Sequence, residues 1–249
     1  MDFKIFFDSG LIMGQHTELF LDHQNRMLLY DFQNTINCFV ALSNEKMAYV
    51  RHLEDWEIKK LPHFRITNAI VIIKSAKRAP ECWVRWNFKG YRKAFSRFLK
   101  IYYSHFEDVL DESVQVDHLE PRYRFDQEPD YFVRLHLVRK KVNAAFGSGY
   151  ERSFYQHERK KDLPGAIRMS WLTFCKAIGV CPPGKNAGKF AWETWARKQA
   201  LKFCKETDEP VHLAYIGFLS VLQLGYTGYY AGETRPHNIV HLTPSFVSI

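Results

Sequence analysis

The chain changes its hydrophobic rhythm near residue 90. Before that point apolar residues alternate or come in short blocks, which predicts strands; beyond it they recur mainly every three to four residues, which predicts helices. TELFL and RMLLYDF, on either side of the turn-forming Asp22 to Asn25, read as a hairpin. CFVAL and MAYV flank a second turn at Ser43 to Lys46, and HLEDWEIKKL reads as a short surface helix. AIVII, Ala69 to Ile73, is apolar throughout and belongs in the middle of a sheet. CWVRW sends Trp83 and Arg85 to one face of a strand and Cys82, Val84 and Trp86 to the other.

A helix is expected from Tyr91. Tyr91, Phe95, Phe98, Leu99, Tyr102 and Phe106 fall on one side at 3.6-residue spacing, with Lys93, Arg97 and Lys100 roughly opposite. Glu120-Pro121 and Glu128-Pro129 break regular structure at both ends of RYRF. YFVRLHLV, Tyr131 to Val138, alternates as a strand that turns Arg134 and His136 away from Tyr131, Val133, Leu135 and Leu137, although a helix continuing through Val142 and Phe146 fits the same residues. FGSGY is turn-prone, and Ser153 to Lys161 is a short charged stretch. MSWLTFCKAIGV reads as a helix with Ser170 as N-cap, Gly179 past its end, and Ile167, Trp171, Phe174 and Ile178 inward. Further helices are expected over Lys189 to Lys205, with Trp192, Trp195, Ala196 and Phe203 inward, and over Val211 to Leu224, buried on most sides; HNIVHL would add an edge strand. The expected fold class is α+β: a mainly antiparallel N-terminal sheet with a basic amphipathic helix, then a helical C-terminal portion. The corresponding division is a β-rich unit at 1–110, an acidic connecting segment at 111–130, and a mainly helical unit at 131–249.

Composition is that of a folded protein: 249 residues, 46% hydrophobic, 25% charged and 16% aromatic, enough for a core without staples. Five irregularly spaced cysteines argue against a disulfide framework and for a reducing compartment. The N-terminus lacks the basic stretch of a signal peptide, and Val211 to Leu224 is short for a bilayer, so a cytoplasmic protein with no membrane partner is expected. The formal net charge of +8 conceals segregation. Residues 71–100 hold nine Lys/Arg against Glu81 alone, whereas residues 107–130 hold nine acids against Arg122 and Arg124. Such blocks favour a polyanionic partner on one face; their simpler use is to neutralise one another within the molecule.

The candidate chemistry follows from these blocks. Trp83, Arg85, Lys89, Arg92, Lys93, Arg97 and Lys100 interleave rings and cations as single-strand and RNA binders do, and form a proposed primary patch for DNA or RNA. Arg139, Lys140, Lys141, Lys185 and Lys189 form a second, the last two around CPPGKNAGK, which joins two helices in the outline of a helix-turn-helix. GKNAGK lacks the spacing of a phosphate-binding P-loop. Cys175, Cys181, Cys204 and His212 lack the tight pairing of structural zinc ligands, so no metal site is assigned.

VQVDHLEPRYRF, Val114 to Phe125, places an Asp-His step at the end of a short alternation, followed by proline and two arginines. It resembles the opening motif of the His-Asn-His nuclease family over about 45 residues, Val114 to Arg159, without the paired CxxC knuckles of many members. The resemblance implies a metal-dependent endonuclease in which His118, beside Asp117, activates water, Asn143 takes the central asparagine's role and His157 the final histidine's, with one divalent metal as cofactor. Otherwise no cofactor is expected, and Asp117 and His118 form a local cap or surface pair. A third reading makes the chain an interaction subunit that meets a protein partner through its aromatics and acidic block. The oligomeric state is not written in the sequence.

Overall fold

A computed structural model describes residues 13–33, 38–53, 56–74, 79–106, 109–126, 130–147, 151, 163–184, 187–207 and 210–226. These form an α+β fold built on one antiparallel sheet of seven strands. The strands are β1 (Phe39–Ser43), β2 (Glu57–Lys60), β3 (Ala69–Ile73), β4 (Glu81–Arg85), β5 (Val114–His118), β6 (Tyr131–Arg139) and β7 (Ala166–Arg168). Their order is β2-β3-β4-β6-β1-β7, with β5 also paired to β6. The segment expected to connect two units thus contributes a strand, and the sheet interleaves β1 from the N-terminal part between β6 and β7.

Long β6 organises the sheet. Its first half lies between β4 and β1, with Val133 opposite both Val84 and Ala41. Its second half pairs with β5 from Val114↔Arg139 to His118↔Leu135. Tyr131 O accepts from Trp86 N on the β4 side, whereas Asp130 O and Arg134 O accept from Asn44 N and Leu119 N. Backbone groups alternate sides along a strand, so β1 and β5 follow one another along one edge of β6. On the other edge the ladder beyond β4 is continued by a side chain. The Gln24 amide donates to Leu137 O (3.0 Å) and accepts from Leu137 N (3.1 Å), satisfying backbone groups that no described strand reaches on that edge.

Gln24 belongs to helix α1 (Met13–Gln33), where a hairpin was expected. The inward positions Thr17, Phe20, Leu21, Leu28, Asp31 and Phe32 recur at helical spacing. Three polar residues, Thr17, Gln24 and Asp31, share that inner face, so the apolar pattern breaks into two short blocks that mimic strands. The expected turn at Ser43 to Lys46 is instead the start of α2 (Asn44–Leu53): Ser43 Oγ accepts the Lys46 N–H at 3.1 Å, as an N-cap does. EIKK is not helical but an edge strand, β2, paired on one side with β3 and otherwise largely exposed.

The remaining helices are α3 (Tyr91–Tyr102), α4 (Lys140–Ala145), α5 (Trp171–Ala177), α6 (Lys189–Lys205) and α7 (Val211–Tyr226). Ser170 Oγ accepts the Thr173 N–H (3.1 Å) at the start of α5, and Gly179 beyond its end takes φ +79°, which favours glycine. Three apolar clusters fill the molecule. Phe20 and Leu21 of α1 join α3 against Val71, Val84, Leu135 and Leu137. Leu28 and Phe32 join α5, α6 and α7 against Val40 and Val133. Met47 and Val50 of α2 cover Leu42, Ile70, Ile72, Trp83 and Phe132. Helix α7 is less enclosed than expected, since Leu213 and Ile216 are 46% and 57% exposed. Among the described residues no helix is long and apolar enough to cross a membrane. Ser153 to Lys161 and HNIVHL lie outside the described residues.

Candidate nucleic-acid interface

Helix α3 divides its twelve residues cleanly. Ala94, Phe95, Phe98 and Leu99 are buried against the sheet, while Arg92, Lys93 and Lys100 face solvent and Arg97 is half-buried. The helix has no acidic residue and, among the described residues, no side chain caps its start, so the N–H groups of its first turn add partial positive charge. Lys93, Arg97 and Lys100, spaced four and three apart, line one side over about 10 Å at 1.5 Å per residue. Lys89 is exposed just before the helix, and the Arg92 guanidinium lies over the Tyr91 ring at 5.5 Å. Among the described residues no carboxylate pairs with Lys89, Arg92, Lys93 or Lys100. Arg97 NH2 lies 2.8 Å from His63 Nε2, in the β2–β3 turn.

The other expected contacts divide differently. Trp83 is 0% exposed, so its assignment as a base-stacking residue is corrected: the strand face it shares with Arg85 is covered by α2, and its indole N–H donates to Glu81 Oε2 at 2.9 Å. Arg85 reaches the surface but pairs with Asp130 at 3.1 Å. Arg139 pairs with Glu18. Lys140 and Lys141 are exposed at the start of α4; the Lys189 side chain and all of Lys185 lie outside the described residues. Four acids of the 107–130 block have described partners, and none lies on α3. Asp111 accepts from Thr17 and Ser113, Asp117 pairs with Lys176, Glu120 with Arg124, and Asp130 with Arg85. Three of these acids, Asp117, Glu120 and Asp130, thus neutralise cations that are not on α3.

The nuclease-like residues separate on strand β5, whose consecutive side chains point to opposite faces. Asp117 Oδ2 lies 2.5 Å from Lys176 Nζ of α5, which Glu151 Oε1 also approaches at 2.6 Å. His118 points the other way, 3% exposed, with its ring 4.6 Å from that of Tyr91 at the start of α3. Burial is the main reason its pKa falls to about 4, with Arg122 and Lys176 adding to it against Asp117. The imidazole is therefore neutral at pH 7, and its Nε2 has no partner among the described residues. Asn143 is half-buried on α4, packed beside β5, and His157 lies outside the described residues.

A second polar assembly, not foreseen from the sequence, is sealed beneath α1. Lys74 Nζ and Arg134 NH1 each lie 2.8 Å from Glu81 Oε1, and Asp31 Oδ2 is 3.8 and 3.3 Å from the same two cations. Burial alone would raise Glu81, but Arg134 and Lys74 outweigh it and hold the carboxyl below its ordinary value. Asp31 is raised, because burial and the neighbouring Glu81 act together against the two cations. Beside the cluster His136 hydrogen-bonds to the Ala177 backbone, and burial first, then Arg134, lowers its pKa well below the ordinary value. The adjoining cavity, about 30 Å³, has room for water but not for a substrate. The chemistry available is internal charge compensation. The only sequence signal for it was the second face of β6, where Arg134 and His136 interrupt an apolar strand.

No family model matches the chain, and the searches of curated proteins and of solved structures likewise return no match.

Proposed function

We propose that this protein binds nucleic acid through the phosphate backbone, with Lys93, Arg97 and Lys100 of α3 as the central contacts and Lys89 and Arg92 beside them. The supporting observation is the fate of the charges. The cations of β4, β6 and α5 are consumed by carboxylates, while those of the acid-free α3 stand on a rigid helix with no described carboxylate partner. Five thiols that form no disulfide fit a reducing, cytoplasmic setting.

The test is binding of the full chain to DNA and RNA across a salt series. Each phosphate contact contributes about 0.9 to the slope of log affinity against log salt, so Lys93→Ala with Lys100→Ala should lower the slope by about 2. Absence of binding at low salt, or an unchanged slope in the double variant, would overturn the proposal. Repeating the series with Mg²⁺ and resolving the strands on a denaturing gel examines the endonuclease alternative. Metal-dependent cleavage that disappears in His118→Ala would establish it.

A further inference from the structure

Where the second half of α1 meets α5, α6 and α7, the helices leave a cavity of about 140 Å³. Phe174, Phe203 and Phe218 line it, and its rim carries exposed Asp22 and Arg26 of α1 and exposed Lys202 and Glu206 at the end of α6. A hole of that size takes a single six-membered ring. The three phenylalanines are buried and stand edge to face, Phe174 against Phe203 at 5.7 Å and 89°, Phe203 against Phe218 at 6.1 Å and 80°. Phe32, stacked on Phe174 at 4.3 Å, holds the array from behind. The apolar floor is therefore preformed, and a further ring can join it in the edge-on geometry that aromatic rings favour.

The polar groups around this floor are largely unengaged. Arg26 is held by Asp22 at 2.6 Å, so that pair is neutral. The side chains of Lys202 and Glu206 lie about one helical turn apart, yet neither has an ion-pair partner among the described residues. Half-buried Asn25 of α1 also lines the cavity, and its buried Oδ1 has no described hydrogen-bond partner. A buried acceptor left in that state is uncommon in a folded chain, and rotation of the amide presents an acceptor to the cavity. A hydrocarbon ligand would leave Asn25 unsatisfied. A simple anion would find no excess of positive charge, because the four rim charges cancel.

We propose that the cavity binds a free aromatic amino acid whose ring carries a hydrogen-bond donor, with tyrosine as the best fit to one six-membered ring. The ring enters among the phenylalanines and its hydroxyl donates to Asn25, while the carboxylate meets Lys202 and the ammonium meets Glu206 at the rim. The site uses no residue of α3 and stands apart from the nucleic-acid reading.

The experiment uses the full chain and saturation-transfer NMR, titrated to give dissociation constants for L-tyrosine, L-phenylalanine, p-cresol and N-acetyl-L-tyrosinamide. Tyrosine should bind tightest. Phenylalanine, which offers Asn25 no donor, should bind about tenfold more weakly. The ring alone, p-cresol, and the blocked amide, which lacks both head charges, should each bind severalfold more weakly than tyrosine. Asn25→Leu should erase the preference for tyrosine over phenylalanine. Lys202→Glu, at an exposed position, should weaken tyrosine severalfold and leave p-cresol unchanged. No saturation transfer to tyrosine at millimolar concentration would overturn the site. Equal affinities for tyrosine and phenylalanine in the unaltered chain, or a preference that survives Asn25→Leu, would overturn the role of Asn25 and the ligand class with it. Equal binding of the blocked amide would assign the cavity to a tyrosine side chain within a peptide and overturn the free amino acid. The ligand comparisons in the unaltered chain decide the matter even where Asn25→Leu does not fold.

Discussion

His118 shows how one residue's burial governs acid stability. Its pKa in the fold is about 4, whereas in the unfolded chain it returns to about 6.5. The unfolded state therefore takes up a proton as pH falls through 6.5 and the folded state does not. The stability owed to the neutral ring is complete above about pH 6.5 and declines toward pH 4, by on the order of 3 kcal/mol in all. His136, lowered for the same reason, acts in the same direction. His118→Phe should keep the contact with Tyr91, cost little at pH 7 because Nε2 has no described partner to lose, and flatten the profile. Urea melts between pH 7 and pH 4.5 give the check; a profile as steep as that of the unaltered chain would mean that His118 is charged inside the fold.

At the scale of elements, close approach decides which helices dock. Gly217 sits where α7 crosses Trp171 of α5, and a Cβ there would lie 2.1 Å from an indole carbon. Gly217→Ala should cost about 2 kcal/mol or more, since the half-buried indole would have to leave its contacts with Phe203 and Phe218, and the unfolding midpoint should drop accordingly. Helices α3, α5, α6 and α7 were legible in the sequence for a shared reason: an apolar face repeats at 3.6 residues, or a cap such as Ser170 marks the start. Helix α1 was not legible, because Thr17, Gln24 and Asp31 are polar residues with inward tasks: a buried hydrogen bond to Val109 O, a sheet edge at Leu137, and a pair with Arg134. Strand β2 was missed for the converse reason: an edge strand with charged side chains does not alternate in hydrophobicity. On α3 the basic face was legible because helix period and charge coincide. The burial of Trp83 and of the Lys74–Glu81–Arg134 cluster was not, since each depends on partners far along the chain.

For the molecule as a whole, the sheet binds the two halves of the chain into one unit. Strand β1 lies between β6 and β7, and β4 completes its pairing only on β6. A chain ending at residue 110 keeps the β2-β3-β4 meander and α3 but loses the partners of β1 and the Arg134 that joins Lys74 in compensating Glu81. It should show no cooperative unfolding transition in urea, whereas the full chain should show one; a cooperative melt for the fragment would mean that the meander and α3 stand alone. The charge pattern is a whole-molecule property too, because Asp117, Glu120 and Asp130, which follow α3 in sequence, are paired with Lys176, Arg124 and Arg85 and not with the α3 cations.

The central position of β6 also sets an order of events during synthesis. Ala41 waits for Val133, and Leu42 for Ala166, before either edge of β1 is closed. Until more than half the chain has left the ribosome, β1 and β4 each present an open row of backbone donors and acceptors, the surface through which growing chains join to one another. Sequence-distant pairing of this kind also slows folding. The nascent protein is thus most exposed to misassembly over the interval between the emergence of β4 and that of β6, an interval fixed by the position of one strand.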